Sequence, residues 1–307
     1  DLDDGNSKID LGLWRELFGY ALVHKKKVAL LGVFAVATGL TEVCFPLVSR
    51  ALIDEVTRLT ESGESAGLTP GILLPYGLAY AGLIISLCVS VFFFIRYAGY
   101  LKAHMAADIR RAGFAKLQQL EFAFFDKRAS GWLLARMTSD CERLANIMAW
   151  GVLDILWAAT FLVGIAVAML VLNWKLALLI LLVTPLLAGI SRFFQKRMLK
   201  ASRAIRKVNS TITADFNESI MGERTTKAFV REEANLTEFR VKTDDMFEAS
   251  VRNAVLASAY LPAILSIGSL ATAAALIFGG VQVTGLAITL GTLVAFLSYT
   301  RMLFEPL

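Results

Sequence analysis

The sequence predicts an all-α membrane protein with six transmembrane helices and long cytoplasmic extensions. Three observations carry that reading. Of 307 residues, 56% are hydrophobic and the mean hydropathy is +0.61, above the roughly 45–50% apolar content of soluble domains. The apolar residues collect into six runs of roughly 20, the length that crosses a hydrocarbon core of about 30 Å. Between the runs lie two long polar excursions that keep a helical period. Runs this long satisfy their backbone groups internally and exclude barrel strands.

Residues 1–27 read as an acidic, disordered tail and then an amphipathic helix. Leu11, Trp14, Leu17 and Phe18 fall at helical spacing, and His24, Lys25, Lys26 and Lys27 follow, a pattern suited to the cytoplasmic membrane surface. No small-residue cleavage site follows the next apolar run, so no removable leader is expected. Span one is 28–53, with Glu42 and Pro46 inside it. The loop at 54–75 sets Asp54, Glu55, Glu61 and Glu64 against Arg58. Three lysines before the span and few bases after it put the N-terminus inside and this loop outside.

Span two covers about 76–95, and its helix should not stop there. Leu101, Met105, Ile109, Gly113, Leu117 and Leu120 continue an apolar stripe with Arg and Lys on the other faces. At about 1.5 Å per residue that extension reaches some 35 Å beyond the bilayer. Residues 122–130 break the helix, with Gly131 as a natural stop or turn residue. Leu134, Met137, Cys141, Leu144 and Met148 then mark the packed seam of a helix returning to the membrane as span three, 155–172.

Asn173, Trp174 and Lys175 form a tight outer turn. Span four is 176–190 and includes Pro185; seven bases between Arg192 and Lys207 crowd its inner end. Ile205, Val208, Ile212, Phe216 and Ile220 form a second stripe that ends near Gly222. Span five is 254–279, with Pro262, and span six is 289–307. The two cytoplasmic loops are thus 97–150 and 191–252, an architectural repeat without convincing sequence identity between its copies. Both termini are expected inside.

Several chemistries find no support. Cys44, Cys88 and Cys141 are isolated thiols without metal spacing. His24 and His104 are too far apart in sequence to suggest a site, so no metal role is assigned. Met169, Met198, Met221 and Met246 make no methionine stripe. The net charge of +5 sits at inner span ends, where the positive-inside rule and anionic lipid explain it better than nucleic acid does.

Motifs in this framework resemble those of ATP-binding cassette exporters. Phe124, Phe125, Asp126, Gly131, Leu134, Arg136, Thr138 and Asp140 are similar to the family's FFD-x4-G-x-L stretch and its continuation. Gly222, Lys227, Ala228, Phe229 and Glu232 resemble its second cytoplasmic loop. Asn173 to Leu176 with Pro185 resembles the start of its fourth span; residues 290–296 with Tyr299, Pro306 and Leu307 resemble its sixth. The likeness runs from about Trp14 to Leu307, and its closest flavour is the homodimeric lipid A and multidrug kind.

The resemblance implies a six-span transmembrane domain over 28–307. The family's nucleotide-binding domain, with ATP and magnesium, would follow residue 307. Neither a G-x-x-x-x-G-K-[ST] phosphate loop nor an LSGGQ-like signature occurs in these residues, so no catalytic site is assigned and a truncated domain is the expectation. It implies two coupling helices docking on that domain. The first involves Phe124, Phe125, Asp126, Lys127, Arg128 and Gly131, the second Lys227, Ala228, Phe229, Arg231 and Glu232. The aromatics would be anchors and the charges a polar rim; the plain alternative is aromatics packed inside the stalk and charges in water. It also implies a crossed-over dimer of twelve spans in a bacterial inner membrane, moving an amphipathic substrate. A stand-alone channel or permease, or a receptor with a cytoplasmic partner, is the alternative.

Glu42 and Arg301 are the substrate-cavity candidates. Glu42 lies well inside span one, where a charge costs about 2.5–3.5 kcal/mol on insertion scales. It either lines a cavity or hydrogen-bonds a neighbouring helix, for example through Thr41 or Ser49. Arg301 either meets an anionic headgroup or marks the inner interface. Arg50, Arg96 and Asp154, nearer span ends, read as structural.

Overall fold

The computed structural model describes residues 11–62, 70–126 and 130–303. Helix is the only regular structure among them. In order these are α1 (Leu11–Val23), α2 (Lys25–Glu61), α3 (Pro70–Leu117), α4 (Phe122–Asp126), α5 (Ser130–Ala135), α6 (Cys141–Asn146), α7 (Val152–Leu172), α8 (Trp174–Leu181), α9 (Val183–Met221), α10 (Glu223–Ala228), α11 (Glu232–Thr284) and α12 (Leu290–Met302). Single π-turns at Arg136–Asp140 and Ile147–Gly151 join α5 to α6 and α6 to α7. Among the described residues, five helical stretches are long and apolar enough to cross a membrane: α2, α3 from Gly71, Ser130–Leu172, Trp174–Met221 and α11. The sixth apolar run begins α12. The tail at 1–10, Glu64, Lys127, Arg128, Pro306 and Leu307 lie outside the described residues.

The chain divides into two compact units. The first comprises Asp1–Leu172 and Ile288–Tyr299. Its core joins Leu17 and Ala21 of α1, Leu31 of α2, Ala98, Leu101 and Met105 of α3, and Ala145 and Met148 on the returning limb. The expected stripe on α3 therefore does bury its first members, and α1 turns one flank onto protein while Phe18 stays exposed. Higher in this unit α2 and α7 approach closely. A Cβ on Gly39 would come within 3.3 Å of the Phe161 amide nitrogen, and one on Gly164 within 3.0 Å of Val43. Hydrogen in place of a methyl is what admits this spacing.

The second unit comprises Asn173–Ala287 and Thr300–Leu307. Here α9 packs along α11. Asn173 caps α8, its side-chain oxygen accepting from the Lys175 and Leu176 amides at 3.1 Å, and its amide donates to Gln282 at 2.9 Å. Span four, expected as one piece, is interrupted for one residue at Leu182. Pro185 explains the break: it has no N–H to give to a carbonyl one turn earlier. Pro46 and Pro262, by contrast, sit inside unbroken α2 and α11.

Gly131 corrects an expectation. It is the second residue of α5 and not a stop. Its φ is not positive and no heavy atom approaches a Cβ built there, so nothing in its setting calls for glycine's special freedom. Leu134, expected on the packed seam, is 66% exposed, while Cys141 and Met148 are buried. Leu134 nonetheless faces α3, lining with Met137 an open apolar groove that also holds Phe114 and Leu117.

Candidate functional site

The tips of the two stalks hold most of the sequence candidates. At the first, α3 ends at Leu117 and the short α4 begins at Phe122, two residues before the expected start. Phe122 is almost fully exposed, Phe125 is exposed and Phe124 is half-buried against it; the 124 and 125 rings meet edge-on at 5.8 Å. Asp126 is exposed at the end of α4. Beyond it, Arg136 lies 4.8 Å over the Trp132 ring and 3.1 Å from Asp140. Arg110 donates to the Met137 carbonyl at 3.2 Å, stapling α3 to the first π-turn.

At the second tip, α9 closes at Gly222 and the chain re-enters helix as α10. Lys227 and Ala228 are exposed in its last turn, not at its centre. Phe229 and Val230 are strongly exposed, and Val230 sits at φ 52°. Positive φ is uncommon for a β-branched residue; here the Val230 N–H donates to the Lys227 carbonyl and the Arg231 N–H to that of Thr226, which fixes the turn. Glu232 then opens α11. Glu223 and Lys227 pair at 2.8 Å one turn apart. The bond and charge of Lys227 hold the Glu223 carboxyl below its ordinary range, and the same contact raises the Lys227 ammonium. A polar cavity of about 550 Å³ lies behind the turn. Its walls include the Asp215–Lys242 ion pair, Arg231 at 3.6 Å from Glu238, and Asn235 bonded to Thr226.

Inside the membrane region Glu42 is half-buried, and the Trp157 indole donates to its Oε2 at 3.0 Å. The partner proposed from sequence was Thr41 or Ser49. Those hydroxyls are engaged elsewhere: Thr41 with the Ala37 carbonyl and Ser86, Ser49 with the Phe45 carbonyl and Tyr80. Arg301 is exposed in the last turn of α12.

Sequence reasoning missed three arrangements. Asp54 reaches the start of α12, its Oδ1 accepting from the Gly291 amide at 2.9 Å and its Oδ2 from the Thr289 hydroxyl at 3.0 Å. Thr289 itself caps the Thr292 amide at 3.2 Å. A carboxylate is thereby placed at the positive end of a helix. Tyr299 is fully buried and donates to the Val43 carbonyl at 2.7 Å, a second tie between α12 and α2. The third is the histidine pair set aside as too distant. Their rings stack at 5.0 Å, and His24 Nε2 lies 2.8 Å from Asp108. Helix pairing alone erases their separation in sequence. Among the described residues, no group of three or more His, Cys, Asp or Glu is placed to hold a metal ion.

A helical membrane domain with two elongated stalks is thus the class the fold defines. Residues 28–307 match the ABC transporter transmembrane region, and the chain belongs to that family. An uncharacterised ABC transporter ATP-binding protein of Bacillus subtilis, YwjA, is 27% identical over 95% of this chain and 50% of its own length. The ATP-dependent lipid A-core flippase of Albidiferax ferrireducens is 26% identical over 96% of this chain and 49% of its own. A second Bacillus subtilis ABC transporter ATP-binding protein, YknV, is 29% identical over 69% of this chain and 35% of its own. The chain spans about half the length, or less, of the curated relatives it matches.

Proposed function

We propose that this chain is the substrate-translocating part of an ATP-driven exporter in a bacterial inner membrane, with both termini cytoplasmic. It carries an amphipathic substrate, a lipid, drug or similar molecule, outward by alternating access. ATP and magnesium are held by nucleotide-binding domains and not by these residues. The mature assembly pairs two copies of six spans. The observation that carries the reading is a pair of short turn helices, α4 and α10, each leaving phenylalanine exposed at a stalk tip beside charged residues. Exposed aromatics with a polar rim are what a docking surface needs. A long continuous helix behind such a turn can carry motion into the membrane as a rigid body. The lipid A flippases among the relatives support a lipid-like cargo.

The test is ATP hydrolysis by the full-length protein in liposomes, with Phe125→Ala and Phe229→Ala combined. Lipid A or a hydrophobic drug should stimulate hydrolysis in the parent, and the double variant should retain basal hydrolysis without stimulation. Failure of the protein to bind ATP would overturn the exporter reading in favour of a channel, a gradient-driven permease or a receptor.

A further inference from the structure

His24 is the single residue that breaks the helix between α1 and α2, at φ −98° and ψ 42°. Its backbone serves both sides. The N–H donates to the Ala21 carbonyl at 3.0 Å, and the carbonyl accepts from Lys27 and Val28 at 2.9 and 3.1 Å. Its side chain continues the face on which Ala21 and Leu17 are buried, one and two turns earlier. From that joint the imidazole reaches α3, where Nε2 lies 2.8 Å from Asp108 and the ring stacks on His104 at 5.0 Å. His104 and Asp108 sit one turn apart on α3. The joint at which α1 meets the first span is therefore tied to the first stalk by ionisable groups.

A carboxylate accepts and does not donate, so Nε2 carries hydrogen whether the imidazole is neutral or charged. The proton taken up on charging goes to Nδ1. Charging the ring turns the contact into an ion pair with a charge-assisted hydrogen bond, the stronger kind. Imidazole makes this change between pH 5 and 8. Two charged rings stacked at 5.0 Å repel, so His104 opposes a second proton and the rings titrate as a unit. The other neighbours are mostly cations. On one side α2 opens with Lys25, Lys26 and the half-buried Lys27. On α3, Arg111 lies 3.8 Å from the second oxygen of Asp108, which is thus the shared counter-charge. Lys102 and Arg110 are engaged with the returning limb, by Glu142 at 3.3 Å and by the Met137 carbonyl. From α1 comes the half-buried Tyr20, and the π-turn at 147–151 has no titratable side chain.

We propose that His24, His104 and Asp108 form a proton-sensitive clasp that sets how firmly α1 is held on α3. With one proton on the imidazole pair the clasp is an ion pair and α1 is docked. When that proton leaves, a hydrogen bond from a neutral ring remains and α1 loosens. A second proton also loosens it, because the rings then repel. The side chains of His24 and Asp108 are 20% and 29% exposed, so water screens the pair and keeps the change to a few fold. Exposed Phe18, Leu22 and Val23 give α1 the apolar side of an interfacial helix. The proton therefore governs how α1 is shared between the protein and the membrane surface. The orientation proposed above puts the clasp on the cytoplasmic side; the clasp itself depends on neither ATP coupling nor cargo.

The experiment is hydrogen–deuterium exchange of the full-length protein in nanodiscs between pH 8 and pH 5, with peptides read by mass spectrometry. Exposure times are scaled to the intrinsic exchange rate at each pH. Protection of residues 11–27 should rise about three- to fivefold from pH 8 to pH 6, the scale of a neutral hydrogen bond becoming charge-assisted, and fall again toward pH 5. Asp108→Asn keeps an acceptor without the charge and should remove the rise. His24→Gln keeps a donor and should leave protection flat across the range. His104→Phe keeps a stacked ring without a second proton site, so the rise should persist and the fall toward pH 5 should vanish. Protection of residues 98–105, in the core of α3, should stay level in the parent and in each variant, which separates loss of the clasp from loss of the fold. Flat protection of α1 in the parent overturns the proposal, as does a rise that survives His24→Gln or Asp108→Asn. A pH step of equal size at 98–105 also overturns it, because the whole unit and not the clasp then responds.

Discussion

Replacing Gly291 by alanine tests the junction between α2 and α12. A Cβ at this position overlaps the Arg50 carbonyl and the Asp54 carboxylate. The carboxylate can turn aside, but it then releases the Gly291 amide; the Arg50 carbonyl belongs to a helix and cannot. Overpacking of this kind costs about 1–3 kcal/mol. The lost charge-assisted bond adds about 1.5 kcal/mol. Against these stands the helix preference of alanine over glycine, up to about 1 kcal/mol. The net loss is about 1.5–4.5 kcal/mol, and at about 2–4 °C per kcal/mol the melting midpoint should fall by ~3–18 °C. Thermal unfolding of the purified protein, followed by tryptophan fluorescence, measures it. Asp54→Asn keeps an acceptor and should lose under half as much. In the combined Gly291→Ala, Asp54→Ala variant the shared bond is counted once, so the losses should sum to less than the two singles. A Gly291→Ala protein as stable as its parent would refute the geometry and the reasoning built on it.

Trp157→Phe keeps the ring beside Phe161 and removes the indole donor from Glu42. It should cost about 1–2 kcal/mol, read as an earlier unfolding midpoint, and Glu42→Gln should soften that loss in the double variant. Val230→Gly relieves a positive φ and should slow amide exchange in the α10–α11 turn, with a gain of up to about 1 kcal/mol. The Glu223–Lys227 pair predicts a pH profile for α10. Because the folded carboxyl titrates below its unfolded value of about 4.3, its support is complete above that value and disappears as pH falls through the lowered one. Lys227, raised when folded, contributes below its unfolded value of about 10.4 and loses that contribution as pH rises through the raised one. Amide protection in α10 should therefore be flat from pH 5 to 9 and decline below pH 4; Lys227→Gln should abolish the acid step.

Length and apolar period made the spans legible, and the signals that ended helices at Gly222 and Asn173 are local ones. Neither π-turn was legible, because a single i→i+5 turn leaves the composition unchanged and merely offsets the stripe. The interruption at Leu182 was readable in principle from Pro185, yet Pro46 and Pro262 show that proline alone does not decide it. Of the site, the charge at Glu42 announced itself by its depth in an apolar run, but its partner did not, being 115 positions away. The same holds for Asp54 and Gly291, 237 positions apart, and for the two histidines. Such contacts depend on which helices become neighbours, and one chain's periodicity carries no record of that.

The limb that returns from the first stalk tip differs from its neighbour in compliance. Beside it α3 runs 48 residues without interruption, whereas this limb has two π-turns with only six α-helical residues between them. Such turns weaken the regular ladder and are where helices bend. The returning limb therefore bends more readily than α3 beside it, to which the Arg110–Met137 hydrogen bond ties it.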